Sequence, residues 1–376
     1  MTVDEPDPGE ATPGAMSLAE LGWNPFFETH FEAFRKEGLV PARIAREERD
    51  LFGVYSEIGR LAAEVTGRMR HEARSRTELP AVGDWVAIAP RTGEGTASIH
   101  AVLPRRSRLS RKQSGATTEE QILAANIDVA FLVSGLDGGR NFHLPTIERY
   151  LTLARASGAT PVILLNKSDL CAEAAARAVS VEPIAHGVPV HAVSALLGHG
   201  LDDVRRHLEV GKTAVFLGRS GVGKSALING LLGSELLPVG AVRESDRRGR
   251  HTTTWREMIL LPGAGVVIDT PGIRELEFWG GEEEGVVAQF TDIEKMALGC
   301  RFSDCHHRSE PGCAVLAAIA AGTLDAERLE SYHSVQSEIA GMTHRRREKA
   351  YLAGKAKKKQ LQNRHKRRAQ SRPDDE

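Results

Sequence analysis

One stretch of sequence decides the fold: Gly218-Arg219-Ser220-Gly221-Val222-Gly223-Lys224-Ser225. It fits the pattern G-x-x-x-x-G-K-[ST], follows the apolar run Thr213–Leu217 and opens an apolar helix that starts with Ala226. The glycines allow backbone N–H groups to point at phosphate oxygens, and the helix N-terminus adds positive potential. We therefore predict that residues 218–226 bind nucleotide phosphates, with Lys224 at the β- and γ-phosphates and Ser225 on Mg²⁺.

Further apolar runs on both sides of this loop are candidates for buried strands, with helical stretches between several of them. The strand candidates are Val129–Val133, Pro161–Asn166, Val188–Ala192, Ala214–Gly218, Met258–Leu261 and Val266–Asp269; the helical stretches include Thr146–Ala156, Ala172–Val179 and Lys224–Leu232. Alternating strands and helices predict a mostly parallel sheet that is covered on both faces. The central part of the chain is therefore expected to be an α/β domain.

The sequence Asn166-Lys167-Ser168-Asp169 follows one of these strands and fits the N-K-x-D motif that reads guanine. The Asp169 carboxylate would accept hydrogen bonds from N1–H and the exocyclic amine of guanine, a donor pair that adenine lacks. Asn166 would brace the phosphate loop, and the Lys167 stem would cover the ring. The motif also occurs as a surface turn, but beside a phosphate loop it predicts binding of GTP and GDP.

A switch region is predicted after the phosphate loop. Asp269-Thr270-Pro271-Gly272 fits the D-x-x-G motif, with Asp269 bound to Mg²⁺ through water and Gly272 placed to sense the γ-phosphate. One of Thr252 and Thr253 is expected to bind Mg²⁺ directly, and Thr253 is assigned that role. A plain strand start is the alternative for the threonine run.

The position after Gly272 holds Ile273, where many GTPases have a Gln that orients the attacking water. Isoleucine cannot do this, so unassisted turnover is expected to be slow. His251, beside the switch threonines, is the best candidate to position the water, although a lone histidine is as often structural. The alternative is a protein that uses GTP and GDP only as a conformational switch, with negligible hydrolysis.

The order of these motifs along the chain is unusual. Ser194-Ala195, after the strand Val188–Ala192, fits a second base-binding loop, and it precedes the phosphate loop as Asn166–Asp169 does. Most GTPases have the phosphate loop first. The order therefore predicts a circularly permuted sheet, which is tolerated where the original termini lie close together.

Three of the four cysteines lie between Cys300 and Cys313. A four-coordinate set of Cys300, Cys305, His307 and Cys313 suits one structural Zn²⁺ ion, and His306 could replace His307. Such a closed set leaves no open position for catalysis. Clustering of this kind in a cysteine-poor chain also argues against a disulfide scaffold and for a reducing compartment.

Short β-like runs from residue 38 to about 111 predict a small closed barrel of oligonucleotide-binding or SH3-like type. The runs are Val40–Ala45, Leu51–Tyr55, Ala62–Val65 and Trp85–Ala89. Five basic residues at its exit either face RNA or form a solvated linker: Arg105, Arg106, Arg108, Arg111 and Lys112. Residues Leu18–Glu37 before the barrel have helical spacing.

The chain has 376 residues and a formal net charge of -1, but residues 344–372 hold thirteen Lys or Arg and one acid. This basic tail is expected to bind RNA phosphates, and a solvated charge run is the alternative. No apolar run approaches the roughly 18–20 residues of a membrane span, and the acidic start does not resemble a signal peptide. A cytoplasmic monomer that does not bind membranes is expected.

The ordered motifs resemble the small ribosomal subunit biogenesis GTPases of the RsgA/YjeQ family, and the resemblance covers most of the chain. It depends on Ala125-Asn126-Ile127-Asp128, on the motifs at 166–169, 218–225, 249–254 and 269–275, and on Cys300–Cys313. It implies a GTP hydrolase (EC 3.6.1.-) that contacts rRNA, assists late maturation of the small ribosomal subunit and is stimulated by that subunit. It also implies that His251 aids hydrolysis.

The predicted fold class is therefore multidomain: a β-barrel of the OB-fold type, a circularly permuted α/β P-loop GTPase and a mainly helical zinc-binding domain. The predicted divisions are residues 1–37, a flexible extension with a short helix; 38–112, the barrel; 113–280, the GTPase domain; 281–343, the zinc-binding domain; and 344–376, the basic tail.

Overall fold

The computed structural model describes residues 16–48, 51–91, 93–112, 120–138, 141–234, 236–237, 256–269 and 283–341, with 343–344, 347–348, 351 and 355. The strands are β1 (Val40–Glu48), β2 (Leu51–Ser56), β3 (Gly59–Val65), β4 (Trp85–Arg91), β5 (Thr96–Val102), β6 (Arg108–Lys112), β7 (Glu120–Ala125), β8 (Val129–Gly135), β9 (Thr160–Asn166), β10 (Val190–Ala192), β11 (Thr213–Leu217), β12 (Glu257–Leu260) and β13 (Val266–Asp269). The helices are α1 (Pro25–Lys36), α2 (Gly67–Glu72), α3 (Leu144–Ser157), α4 (Ala174–Ala185), α5 (Leu201–Arg205), α6 (Lys224–Leu232), α7 (Glu283–Gln289), α8 (Thr291–Ala297), α9 (Ala314–Ala320) and α10 (residues 326–341).

The first five strands form a small closed barrel, as the sequence predicts. They pair in the order β1-β2-β3-β5-β4, and β4 returns to pair antiparallel with β1, which closes the ring. Trp85, Ile44, Ile88 and Ile99 are fully buried and belong to its core. Closure removes the free strand edges that an open sheet of this size would expose.

Helix α1 packs on this barrel through aromatic side chains. Phe27 and Phe31 are buried, and the ring of Trp23 lies edge-on to that of Trp85 with 4.7 Å between centroids. The sequence predicts one short helix within the segment Leu18–Glu37, and the helix spans Pro25–Lys36. The helix begins at Pro25, because the Asn24 side chain accepts a hydrogen bond from the Phe26 N–H as an N-cap.

Strands β6 and β7 form a separate antiparallel hairpin between the barrel and the central sheet. Arg105, just before this hairpin, neither faces RNA nor lies in a solvated linker. It donates to Asp84 Oδ1 at 2.7 Å and Oδ2 at 2.6 Å, and Asp84 is fully buried. Arg106 and Arg108 keep side chains that are about half exposed.

Six strands form the central sheet in the order β10-β9-β8-β11-β13-β12. All neighbours pair parallel except β12, which is antiparallel to β13. Buried apolar side chains cover both faces in two clusters. Strands β8, β9 and β10 precede β11 in the chain although β11 lies at the centre of the sheet, which is the circular permutation that the motif order predicts.

The barrel and the central sheet are joined edge to edge. One bridge, Arg46 to Glu257, pairs β1 with β12 and connects eleven strands into one sheet. On the other side of the central domain, α7 packs on α3, and helices α8, α9 and α10 complete a helical C-terminal part. Among the described residues, no helix has both the length and the apolar character needed to cross a bilayer.

Candidate functional site

The phosphate loop joins the central strand β11 to helix α6, and close packing requires two of its glycines. A Cβ on Gly218 (φ 157°) would lie 2.4 Å from the carbonyl oxygen of Val133. A Cβ on Gly223 (φ 97°) would lie 2.2 Å from the side-chain nitrogen of Asn166. Larger side chains at these two positions would displace β8 or Asn166, so glycine is needed for the loop to curl here.

The Lys224 side chain folds back over the loop that precedes it. Its Nζ donates to the carbonyl oxygens of Gly218 at 2.8 Å and Arg219 at 2.9 Å. Helix α6 begins at Lys224, so Ser225 lies in its first turn. The loop therefore combines the Lys224 ammonium group, a curled main chain and the positive end of a nine-residue helix. This combination favours binding of phosphate groups.

Asn166 connects three of the predicted motifs. Its Nδ2 donates to the carbonyl oxygen of Val222 in the phosphate loop at 2.9 Å, and its Oδ1 accepts from the Ala195 N–H at 3.0 Å. The side chain is buried, with 2% exposure. The structure thus brings the guanine motif, the phosphate loop and the second base-binding loop together through one amide, in the bracing position that the sequence predicts.

The carboxylate predicted to read guanine lies beside the second base-binding loop. The Ser194 hydroxyl donates to Asp169 Oδ1 at 2.5 Å and accepts from the Leu197 N–H at 3.2 Å. Ser168 donates its N–H to the carbonyl oxygen of Val193 at 3.0 Å. These bonds fix the orientation of Asp169 at the carboxyl end of β9, one strand away from β8 and two from the phosphate loop.

Asp269 ends strand β13 at the same edge of the sheet. In the parallel pairing of β11 with β13, Val215 lies opposite Ile268, so Asp269 comes level with the end of β11 and its loop. The Asp269 carboxylate and the Ser225 hydroxyl are the hard oxygen donors that Mg²⁺ prefers. The residues present therefore fit a magnesium ion that accompanies a bound nucleotide. The remaining predicted switch residues, His251, Thr252, Thr253 and Gly272, lie outside the described residues.

The cysteine cluster forms a separate site between α8 and α9. One ligand atom from each of Cys300, Cys305, His307 and Cys313 lies within 4.8 Å of the others. The Sγ atoms of Cys300 and Cys313 are 3.8 Å apart, and His307 Nδ1 is 3.6 Å from the first and 3.4 Å from the second. A tetrahedral ion with bonds of about 2.3 Å to sulfur and 2.0–2.1 Å to nitrogen has edges of about 3.8 and 3.6 Å.

Backbone N–H groups donate to two of the cysteine sulfur atoms in this cluster. The Ala314 N–H donates to Cys300 Sγ at 3.4 Å, and the Leu316 N–H donates to Cys313 Sγ, which caps helix α9, at 3.4 Å. Burial opposes ionisation of Cys300, but such donors outweigh it and leave the pKa of this thiol below its ordinary value. His307 is buried whereas His306 is exposed, so His307 supplies the nitrogen.

One residue beside the candidate site was not identified from the sequence. Asp137, in the loop after β8, binds the Lys167 ammonium of the guanine motif, with 2.6 Å between Oδ2 and Nζ. Carboxyl ends of adjacent parallel strands meet at one edge of a sheet. Both β8 and β9 were predicted to be strands of a mostly parallel sheet, so polar residues after β8 could have been considered on that ground.

The fold and these sites define a circularly permuted P-loop GTPase that carries a barrel and a Cys₃His cluster. Comparison with family models agrees with this class. A model described as RsgA GTPase matches residues 102–279, and one described as 50S ribosome-binding GTPase matches residues 213–350. The two matches overlap over the phosphate loop and Asp269.

Curated proteins named small ribosomal subunit biogenesis GTPase RsgA match nearly the whole chain. That of Opitutus terrae is 47% identical over 86% of this chain and 90% of its own length, and that of Syntrophotalea carbinolica is 44% identical over 92% and 96%. The crystal structure of YjeQ from Thermotoga maritima is 26% identical, with a TM-score of 0.59 over 81% of this chain and 99% of that one. The chain belongs to the RsgA family of small ribosomal subunit biogenesis GTPases.

Proposed function

We propose that this chain binds GTP and GDP at the phosphate loop, hydrolyses GTP to GDP and phosphate, and assists late maturation of the small ribosomal subunit. The observation that carries the proposal is the buried Asn166 side chain, which bonds both the phosphate loop and the second base-binding loop. This amide makes one pocket of a phosphate site and a base site that are 52 positions apart in the sequence, taking Asn166 and Gly218 as their first residues.

The proposed nucleotide contacts use residues that the structure describes. The β- and γ-phosphates lie within residues Gly218–Ala226, with Lys224 as their cation, and Asp169 accepts from the guanine edge. Ser168, Ser194 and Ala195 shape the base pocket. A magnesium ion, held by Ser225 and by Asp269 through water, neutralises phosphate charge when it is bound.

Residues Thr252, Thr253 and Gly272 are proposed to complete the switch region, with Thr253 the second direct magnesium ligand. Because Ile273 cannot orient water, His251 is proposed to do so, and turnover is proposed to be slow until the small ribosomal subunit and its rRNA bind. The barrel, the Cys₃His domain and the basic tail after residue 344 supply that contact, and the tail contacts phosphates with little sequence preference.

The metal in the Cys₃His cluster is proposed to be one structural Zn²⁺ ion. The separations among Cys300, His307 and Cys313 match a tetrahedral site, and three thiolates with one imidazole select zinc over harder ions. We further propose a cytoplasmic monomer with domains at residues 38–112, 113–280 and 281–343.

The test is steady-state GTP turnover by the purified protein with and without purified small ribosomal subunits. We expect slow turnover alone and stimulation by small subunits, with His251→Ala losing the stimulated rate while GDP affinity holds. Turnover that small subunits leave unchanged would contradict the enzymatic proposal and favour the alternative, a protein that uses GTP and GDP only as a switch. A wild-type protein that binds no guanine nucleotide would contradict both.

A further inference from the structure

The ammonium group of the guanine motif has a fixed partner. Lys167 follows β9 in the left-handed region (φ 64°, ψ 36°), which is uncommon for a residue with a side chain. From there its Nζ reaches Asp137 Oδ2 at 2.6 Å. The exposed fractions of the two side chains are 28% and 19%, so water reaches part of each side chain.

Asp137 is itself held in place. Asn141 donates its Nδ2 to both carboxylate oxygens of Asp137, at 3.2 and 3.0 Å, and the Asn141 carbonyl accepts from Gly135 at 3.3 Å. Burial opposes ionisation, but the bonds from Lys167 and Asn141 outweigh it and leave the pKa of the Asp137 carboxyl below its ordinary value. The carboxylate is therefore charged at neutral pH.

The backbone keeps this pair in register with the base site. Gly135 and Asn166 are partners in the parallel β8–β9 ladder, and the Leu136 N–H donates to the Asn166 carbonyl at 2.8 Å. Asp137 thus comes directly after Leu136, the residue whose N–H bonds the first residue of the guanine motif. An ion pair anchored at both ends leaves the four-carbon stem of Lys167 little freedom to move.

We propose that Asp137 is a positioning residue for guanine nucleotide binding, acting by pinning the Lys167 stem over one face of the base. The inference rests on the proposed nucleotide site and names a determinant of affinity within it. Pinning in the free protein removes rotamer entropy that the lysine would otherwise lose on binding. Because the stem covers any purine ring, Asp137 contributes to affinity and not to the choice of base.

The experiment measures GDP affinity in the presence of Mg²⁺ for the full-length wild type and for Asp137→Asn. We expect Asp137→Asn to raise the Kd about tenfold, as suits loss of a charge-assisted bond. The turnover number at saturating GTP should stay within about twofold, because Asp137 lies next to the base motif and not in the phosphate loop. Asp137→Glu should restore part of the affinity.

Three further variants separate positioning from a merely structural role. Lys167→Met keeps an unbranched stem without the ammonium, so Asp137→Asn should have no added effect in that background. Asp169→Asn should change the preference for guanosine over xanthosine diphosphate, whereas Asp137→Asn should weaken both equally. Asp203→Asn, in α5, removes a more exposed ion pair of the same length, 2.6 Å from Arg206, and should leave affinity unchanged.

The outcomes decide between the inference and the function on which it rests. A wild type that fails to bind GDP overturns the nucleotide site itself. If the wild type binds GDP, then unchanged affinity in Asp137→Asn, or additive losses with Lys167→Met, overturns the role of Asp137 alone. A changed guanosine-to-xanthosine preference in Asp137→Asn would also contradict it, because the carboxylate would then act on the base edge.

Discussion

Two junctions hold the central domain to its neighbours, and each is built around a buried arginine. Arg43 lies where the N-terminal segment, the barrel and the linker before β8 meet, and Arg328 lies where α10 meets α3. Their exposed fractions are 1% and 9%. The two arginines differ in how the charge is compensated, and the difference predicts how each junction responds to mutation and to pH.

Arg43 is bound by neutral groups. Its guanidinium donates to the carbonyl oxygens of Leu21, Gly83 and Asn126 and lies over the Trp85 ring at 5.5 Å. Burial is the main reason that its pKa falls to about 10, since acidic groups act on it only from a distance. It remains charged at neutral pH and ties three segments together through their backbones.

Arg328 is bound by acidic groups. It forms a two-pronged pair with Asp292 at 2.5 and 2.7 Å, bonds the buried Glu148, and lies over the Phe290 ring at 5.0 Å. Burial opposes its charge, but the bonds with Asp292 and Glu148 leave its pKa above the ordinary value. Arg328 is therefore costly to remove, because its removal would leave the carboxylates of Asp292 and Glu148 without their cation.

The largest expected effect is that of Arg328→Met. Glu148 is 2% exposed and would keep a buried charge without a cation, so we expect a loss of about 3–5 kcal/mol in the free energy of unfolding. Burial already raises the pKa of Glu148 in the wild type. A carboxyl with a raised pKa in the folded state stabilises below its unfolded pKa and loses that stability as pH rises through the folded pKa.

The deficit of Arg328→Met should therefore be larger at about pH 7 than at about pH 5, where Glu148 can take up a proton. Urea unfolding at both pH values measures it. Arg68→Gln, which removes an exposed pair with Glu72, is the control and should change little at either pH. An equal deficit at the two pH values would show that the carboxylates do not dominate this junction.

A smaller loss is expected for Arg43→Met. Three buried carbonyl oxygens would lose a donor, but a buried charge would also disappear, and we expect a net loss of about 2–3 kcal/mol. Among the residues that the structure describes, no carboxylate hydrogen-bonds to Arg43, so the loss should not vary between about pH 5 and pH 8. Urea unfolding gives the loss, and hydrogen exchange should show faster exchange at residues 17–23. If the loss in unfolding free energy grew with pH, Arg43 would behave like Arg328, and the distinction between neutral and acidic partners would be wrong.

The contact between α3 and α7 can be tested at Gly285. A Cβ there would lie 2.7 Å from the Thr152 carbonyl oxygen and 2.9 Å from the Ala156 Cβ. We expect Gly285→Ala to cost about 1–2 kcal/mol in unfolding free energy, since the two helices must separate despite the better helix propensity of alanine. Gly67→Ala, with nothing within 4 Å of the added Cβ, is the matched control and should be neutral or stabilising. Equal effects of the two substitutions would refute the close helix contact.

The smallest effect is expected for Arg149→Gln. Arg149 pairs with Glu338 of α10 at 2.6 Å, but the two side chains are 25% and 28% exposed. Water screens such a pair, so we expect a loss of less than about 1 kcal/mol that shrinks in high salt. Thermal unfolding at low and high salt measures it. A loss as large as that of Arg328→Met would mean that the Arg149–Glu338 pair stabilises this junction as much as the buried Arg328 does.

Local sequence patterns predicted the features that depend on residues close together in the chain. Helix α6 begins at Lys224 and ends at Leu232 as its apolar run predicts, and the Cys₃His ligands meet as their spacing predicts. The helix predicted at Ala172–Val179 instead runs from Ala174 to Ala185, with Pro183 inside its last turn. The missing N–H of Pro183 affects only the final turn, so the helix can continue past Val179 to Ala185.

Contacts between distant segments were not predictable in this way. Arg43 bonds a carbonyl 83 positions away, Arg328 a carboxylate 180 positions away, and Lys167 a carboxylate 30 positions away. Nothing in the residues beside these three predicts that they bond such distant groups, because charged side chains usually face solvent. Their partners depend on sheet order and helix packing, which only the folded chain specifies.

The circular permutation also orders the events of synthesis. The ribosome releases the barrel first, then the three base-side strands β8, β9 and β10, and only later the central strand β11 that must insert beside β8. Until residue 217 emerges, the edge of β8 that later pairs with β11 has no partner strand. The barrel is complete by then, and its strand β1 pairs with β12 only after β12 has been translated. The nascent chain thus contains Asn166, Asp169 and Ser194 before it contains residues 218–226, and the proposed nucleotide pocket can form only after β11 and the phosphate loop have been translated.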